Sequence, residues 1–219
     1  MNKNKEVRRE LLTEAAQLHI REGHEGNLSR TIEGYAILFD TPSAVLWEDE
    51  YCEAREIIDR NAVTKELLDS SDIKFTMFHD RQLILARSRQ GSGTLGYEID
   101  DRGVKFSFES PNTAEGDKAL EAVRRGDISG CSFMFSTYYG DSSFVEVSRE
   151  KSGVKWQITY RVKAMTGIYD FTLAADPAYP DTSCEIRELT AEVMRKARCP
   201  ENARAQISAM RALANKPIL

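Results

Sequence analysis

The chain has 219 residues, of which 41% are hydrophobic and 30% are charged, and its formal net charge is -5 at pH 7. This length is enough for one full domain with extensions or for two small domains. A nucleic-acid-binding domain is normally strongly basic, and no apolar run approaches the roughly 18–20 residues of a membrane span. The charged N-terminus is not followed by the apolar stretch of a signal peptide. We therefore expect a soluble protein whose partners include neither nucleic acid nor membrane.

The cysteines and histidines give no sign of a metal site. The four cysteines are far apart in sequence and form no CxxC pair: Cys52, Cys131, Cys184 and Cys199. Only three histidines accompany them, so a zinc site is not expected. The chain also lacks a P-loop, a dinucleotide-binding glycine motif and an HExxH motif. We expect no cofactor and no metal, and four free thiols in a reducing compartment.

The first predicted element is a helix. Residues 4–22 carry apolar side chains at helical spacing, and Gly23 is a reasonable helix stop. This pattern predicts an amphipathic N-terminal helix and a linker over residues 1–29. Alternation then predicts a strand over residues 31–39 and another from Tyr51 to Ile58.

The middle of the chain consists mostly of alternating runs, with one helix. We predict strands over six further segments, at residues 73–79, 94–99, 104–109, 130–136, 154–162 and 168–174. The second and third of these form a hairpin around Asp100-Asp101-Arg102-Gly103. A helix over residues 113–125 has a capping signature at its start and Gly126 at its end. The segment beyond about residue 186 is helical in pattern but poor in large apolar residues, which predicts a peripheral tail. The absence of β-α-β alternation favours a mainly antiparallel barrel or sandwich with peripheral helices.

The strand from Gly126 onward carries the strongest candidate for chemistry. Alternation places Cys131, Phe133 and Phe135 on one face, and Ser132, Met134 and Ser136 on the other. A serine nucleophile needs a base and a third group that orients the base. His79, at the end of an apolar strand, is the candidate base. A solvent-facing serine and a capped strand-end histidine remain the structural alternatives.

Two other kinds of chemistry remain open. Cys131 with His79 would make a cysteine hydrolase, although alternation puts the thiol on the core face, where a small buried hydrophobe is its default role. A paired-carboxylate mechanism has no specific spacing to support it.

Several motifs, in order, resemble the prohead (capsid maturation) proteases of tailed phages. They are Phe-His-Asp at 78–80, the hairpin at 100–103, the segment Arg-Arg-Gly-Asp-Ile-Ser-Gly-Cys-Ser-Phe-Met-Phe at 124–135, Pro-Ala-Tyr-Pro at 177–180 and Glu-Gly-Tyr-Ala-Ile-Leu-Phe at 33–39. The resemblance spans roughly residues 31–187. Three departures from the family pattern occur: Phe78 replaces the usual asparagine, Met134 replaces a glycine, and Arg60-Asn61-Ala62-Val63 replaces Pro-Gly-Ala-Phe.

The resemblance implies a fold and a function. The family fold is similar to the herpesvirus assemblin barrel, a β-barrel surrounded by helices. Its members are serine endopeptidases that act inside the assembling procapsid in the bacterial host cytoplasm. They cut a scaffold protein or the scaffolding segment of the major capsid protein, and commonly themselves. By this resemblance, residues 30–187 are a protease barrel and residues 188–219 are a helical tail open to self-cleavage. A catalytically inactive barrel that serves as an internal scaffold or assembly factor is the alternative.

The resemblance places the family histidine at His79, as general base, and the family serine at Ser132, as nucleophile. Herpesvirus relatives use a second histidine as the third member, but no histidine follows His79 here. Asp80 adjoins His79, and adjacent strand side chains diverge. Asp170 lies on a late strand where phage relatives often carry an acid. We therefore predict that an Asp170 carboxylate oxygen lies within hydrogen-bond reach of the His79 ring, opposite Ser132.

Overall fold

The computed structural model describes residues 7–13, 16–22, 29–153 and 155–174, and in this part the chain is mainly β with few helices. The predicted tail at 188–219 and the Pro-Ala-Tyr-Pro motif lie outside the described residues. The elements in chain order are β1 (Val7–Thr13), β2 (His19–Ile20), β3 (Thr31–Leu38), β4 (Trp47–Glu48), β5 (Cys52–Ile58), a 3-10 turn (Arg60–Ala62), α1 (Lys65–Ser70), β6 (Asp72–Met77), β7 (Asp80–Arg89), β8 (Ser92–Gly93), β9 (Gly96–Ile99), β10 (Gly103–Glu109), α2 (Ala114–Arg125), β11 (Gly130–Thr137), β12 (Val145–Ser152), β13 (Lys155–Val162) and β14 (Gly167–Ala174).

These strands form three hydrogen-bonded sheets. The largest has the order β1-β11-β14-β6-β7-β8, and the two four-stranded sheets have the orders β2-β3-β10-β9 and β12-β13-β5-β4. Two pairs, β14 with β6 and β13 with β5, are parallel, and every other named pair is antiparallel. The predicted mainly antiparallel arrangement therefore agrees with the strand pairing, and these two parallel pairs are its exceptions. Among the described residues the sheets are not closed into a barrel.

All seven runs predicted as core strands or hairpin strands are strands in the structure, namely β3, β6, β9, β10, β11, β13 and β14. The strand β12, in contrast, falls in the stretch from Gly140 to Gly153, whose polar sequence predicts a loop, and that prediction is wrong over Val145–Ser152. Most of its residues are exposed, and its backbone pairs with β13 along the whole length. An edge strand with two polar faces lacks the alternation on which strand prediction depends.

The predicted N-terminal helix is wrong over Val7–Thr13. This segment is β1, which pairs antiparallel along β11 from Val7 opposite Thr137 to Thr13 opposite Cys131. The free edge of β11 offers a row of backbone donors and acceptors, and pairing with that edge overrides a local helical spacing in a short segment. Residues 19 and 20 are also extended and pair with β3.

A shared aromatic core joins two of the sheets. Phe75 on β6 packs against Phe106 and Phe108 on β10, with ring centroids 4.6 and 4.5 Å away. The helix α2 buries Ala119, Leu120 and Val123. The contacts of Phe75 anchor β6, the strand that leads to His79, in this core.

The ends of α2 agree with the prediction. The Thr113 side chain accepts a hydrogen bond from the Gly116 backbone N–H at 3.2 Å, which caps the helix N-terminus. Gly126 ends the helix with φ of 77°, a conformation that glycine adopts without steric cost. The chain is thereby turned into β11, which carries Ser132.

The two cysteines among the described residues differ. Cys131 is a buried free thiol, whereas Cys52 is disulfide-bonded. The expectation of four free thiols is therefore wrong for Cys52.

Candidate active site

His79 lies in a two-residue turn between β6 and β7. Met77 pairs with Asp80 across the hairpin, and the two residues between them have positive φ, 55° at Phe78 and 57° at His79. Positive φ at both central residues is the requirement of a type I′ hairpin turn, whose twist suits the flanking strands. His79 is therefore a turn residue of a tight hairpin rather than the end of a strand followed by a break, as the sequence analysis assumed.

Phe78 is poorly suited to its place in this turn. A bulky residue at positive φ is a conformational outlier, whereas asparagine adopts the left-handed region far more readily. Phe78 is also 49% exposed, so packing offsets little of that cost.

We expect Phe78→Asn to be more stable than Phe78→Ala by about 0.5–1 kcal/mol in urea denaturation, because only asparagine relieves the backbone conformation.

The alanine variant is the matched control for this prediction, because it removes the same aromatic ring without improving the backbone preference. Equal stability of the two variants would show that the turn is not strained at Phe78.

Ser132 lies in the middle of β11, and its side chain meets the His79 ring. The Ser132 Oγ is 3.0 Å from His79 Nε2, and the serine is only 4% exposed. Only β14 lies between β6 and β11 in the sheet. The turn at 78–79, at the end of β6, can therefore place the imidazole over the face of the sheet that carries Ser132. Ser132 and His79, which are far apart in sequence, thus lie at hydrogen-bond distance in the fold.

Asp170 faces the other nitrogen of the same ring. Its Oδ2 is 3.6 Å from His79 Nδ1, and both side chains are nearly buried. That separation is longer than a hydrogen bond, so the predicted direct bond is not formed between these two atoms. The carboxylate is still close enough to stabilise a positively charged imidazole in a site that excludes most water.

Two threonines beside Asp170 were missed by the sequence analysis. The Thr76 Oγ1 lies 3.0 and 3.3 Å from the two carboxylate oxygens of Asp170 and 2.9 Å from the Thr172 Oγ1. The His79 backbone N–H donates to the Thr172 Oγ1 at 3.0 Å. Thr172 is two residues after Asp170 on β14, so strand alternation already predicts from the sequence that both side chains share one face. The contact of Thr76 with Asp170, in contrast, depends on the pairing of β14 with β6.

The other candidate groups lie elsewhere. Cys131 is fully buried, and burial raises the pKa of its thiol far above the ordinary value, which opposes formation of the thiolate that a cysteine hydrolase requires. Asp80 is exposed and accepts a hydrogen bond from the Gln82 backbone N–H at 2.8 Å. His19, a histidine that precedes His79 in the chain, pairs with Glu33 at 2.8 Å. Met134 is buried two residues after Ser132 on β11, and it lies opposite Asp170 on β14.

In the described ranges, no cluster of three or more histidine, cysteine, aspartate or glutamate side chains is arranged to hold a metal ion. None of the helices described in the structure is long and apolar enough to cross a membrane.

Comparison with known proteins identifies a family. The family model of the caudovirus prohead serine proteases matches residues 16–197, which is most of the chain. No curated protein and no solved structure matches the chain. The family match covers β11, the hairpin of His79 and β14, and the resemblance found in the sequence analysis is confirmed. The chain belongs to the caudovirus prohead serine protease family, the serine peptidases of phage capsid maturation.

Proposed function

We propose that this chain is a serine endopeptidase in which Ser132 is the nucleophile, His79 is the general base and Asp170 orients and stabilises the imidazole. The observation that supports this most directly is the 3.0 Å distance from the Ser132 Oγ to His79 Nε2. A serine hydroxyl is a weak nucleophile unless an adjacent base takes its proton.

The proposed reaction uses the histidine twice. His79 Nε2 takes the Ser132 proton as Oγ bonds to the scissile carbonyl carbon, and the imidazolium then gives that proton to the leaving amine as the peptide C–N bond breaks. A water molecule next loses a proton to His79 and attacks the acyl-enzyme ester. The new carboxylic acid departs, and the proton returns to Ser132.

The family match supports a setting for this activity, namely the interior of the procapsid, in the cytoplasm of a bacterial host. We propose that the substrates are the scaffolding segment of the major capsid protein, or a separate scaffold protein, together with the protease itself. These proteins, and further copies of the chain, are the proposed partners.

The proposed protease unit is residues 30–187, with an assemblin-like barrel as the architecture that this function implies. The packing of Phe75 against β10 supports it, because one core is shared between two sheets. The strands β1 and β2 pair with this unit through β11 and β3. Residues 188–219 are proposed to be a tail that self-cleavage removes.

The alternative is an inactive relative that serves as an internal scaffold or assembly factor. The departures at Phe78 and Met134 favour it, because both residues neighbour the reacting groups. A buried methionine on the same face as Ser132 takes space that a glycine would leave to the substrate.

Incubating the purified full chain distinguishes these two functions. We expect mass spectrometry to show species shortened at the C-terminus beyond about residue 187, and gels to show cleavage of the co-expressed capsid protein of the same phage. A serine-directed inhibitor should stop both reactions. Fragments that form equally with and without the inhibitor, or no fragments at all, would support the inactive alternative.

A further inference from the structure

Three hydroxyl side chains form a row across neighbouring strands of the largest sheet. Ser132 on β11 lies opposite Thr172 on β14, and Thr172 lies opposite Thr76 on β6. Directly opposed residues in adjacent strands share a face of the sheet. Both threonines are completely buried. The row begins at the candidate nucleophile and passes beneath the turn that carries His79.

The protons of this row have one consistent arrangement when Asp170 is ionised. A carboxylate only accepts hydrogen bonds, so the single hydroxyl proton of Thr76 goes to Asp170. Thr172 must then be the donor between the two threonines, and its hydroxyl donates to the Thr76 oxygen, 2.9 Å away. The Thr172 oxygen in turn accepts the His79 backbone N–H at 3.0 Å. The result is a directed chain from the His79 backbone to the Asp170 carboxylate.

This chain joins the two groups that flank the imidazole. The Phe78 backbone N–H donates to the Leu173 carbonyl at 3.1 Å, so the turn is tied to β14 at two successive residues. Consecutive positive φ values persist only where the surrounding structure enforces them. Thr172 supplies one of the bonds that enforce them, and Thr76 bonds the carboxylate that faces the ring 3.6 Å away.

We propose that Thr76 and Thr172 are positioning residues that hold His79 and Asp170 in register with Ser132. This inference rests on the proposed function of those three residues. Neither threonine touches the reacting atoms; Thr172 fixes the backbone from which the imidazole projects, and Thr76 fixes the carboxylate against the ring.

The test uses a fluorophosphonate probe, which labels an activated serine and needs no knowledge of the peptide substrate. The second-order rate constant and the final labelled fraction are measured for the full-length protein and for Thr76→Val, Thr172→Val, Thr76→Ser and Thr172→Ser. We expect each valine variant to lose roughly 10- to 100-fold in rate constant, because a displacement of about 1 Å at a reacting group costs up to about that much. The serine variants keep the hydroxyl and should stay within about 3-fold of wild type.

Two measurements separate positioning from a general loss of structure. Partial unfolding would lower the labelled fraction, whereas a misplaced base lowers the rate constant of a fully labelled population. The fold-change should also be the same at every pH at which the wild-type protein is labelled, because the substitutions displace the base and leave every titratable group in place. Thr137→Val is the matched control, because Thr137 is a buried threonine of the same sheet whose hydroxyl donates to the Ala164 carbonyl at 2.7 Å.

The outcomes distinguish this inference from the proposed function. Wild-type labelling with wild-type rates in both valine variants would overturn the positioning role and leave the catalytic assignment in place. A rate loss that is equal in Thr137→Val, or that the serine variants do not restore, would also overturn it. No labelling of the wild-type protein would contradict the proposed function itself.

Discussion

The Ser132→Ala variant is expected to lose all measurable processing while it keeps its fold. Removing the nucleophile of a serine peptidase typically costs on the order of 10⁴-fold or more in rate. The substitution removes one oxygen and leaves the Cβ atom in place, so little packing is lost. Intact mass measured over time should show shortened species for the wild type and none for the variant.

Two neighbours on β11 provide the controls for this experiment. Ser136 is a buried serine whose Oγ lies 2.7 Å from the Thr166 hydroxyl and 2.9 Å from the Tyr169 hydroxyl. Ser136→Ala should therefore keep the activity. Cys131→Ser places a hydroxyl in the core and should cost about 1–3 kcal/mol of stability rather than chemistry. An inactive, folded Cys131→Ser beside an active Ser132→Ala would show that the nucleophile is assigned wrongly.

Much of the local structure could be predicted because alternation is a local signal. The runs that became β5 and β10 bury alternate side chains, as a period of two requires. The run that became β11 is buried at every residue. The helix α2 likewise begins at a threonine cap and ends at a glycine. Elements of this kind are determined within about ten residues of chain.

The pairing of the strands could not be predicted in the same way. The parallel pairing of β14 with β6 brings Thr172 and Thr76 together across almost a hundred residues of sequence, and no local pattern encodes such a pair. The strand β1 is a further example, because its state is decided by the free edge of β11 rather than by its own spacing. The candidate site depends on the pairing of β14 with β6 and with β11. Its residues could therefore be suggested by resemblance, but its geometry follows only from the fold.

Asp170→Asn should slow cleavage by roughly 10²- to 10⁴-fold without unfolding the protein. An asparagine has the same shape and still accepts the hydrogen bond from the Thr76 hydroxyl, so the buried position stays satisfied. It lacks the negative charge that stabilises the imidazolium, and its amide N–H₂ favours the wrong imidazole tautomer when it faces His79 Nδ1. The loss should appear in kcat, with thermal unfolding close to that of the wild type.

Asp80→Asn is the matched control, because Asp80 is the exposed aspartate beside His79 in sequence and its carboxylate contacts the Gln82 backbone N–H instead of the imidazole. This variant should retain wild-type activity. If both asparagine variants were fully active, the Asp170 carboxylate, 3.6 Å from His79, would make no contribution to catalysis. The enzyme would then work as a Ser132–His79 dyad. If Asp80→Asn alone were slow, the orienting acid would be Asp80, reached by a rearrangement of the turn at Phe78. A slow Asp170→Asn with an unaffected Asp80→Asn is the result that a triad spanning β6, β11 and β14 requires.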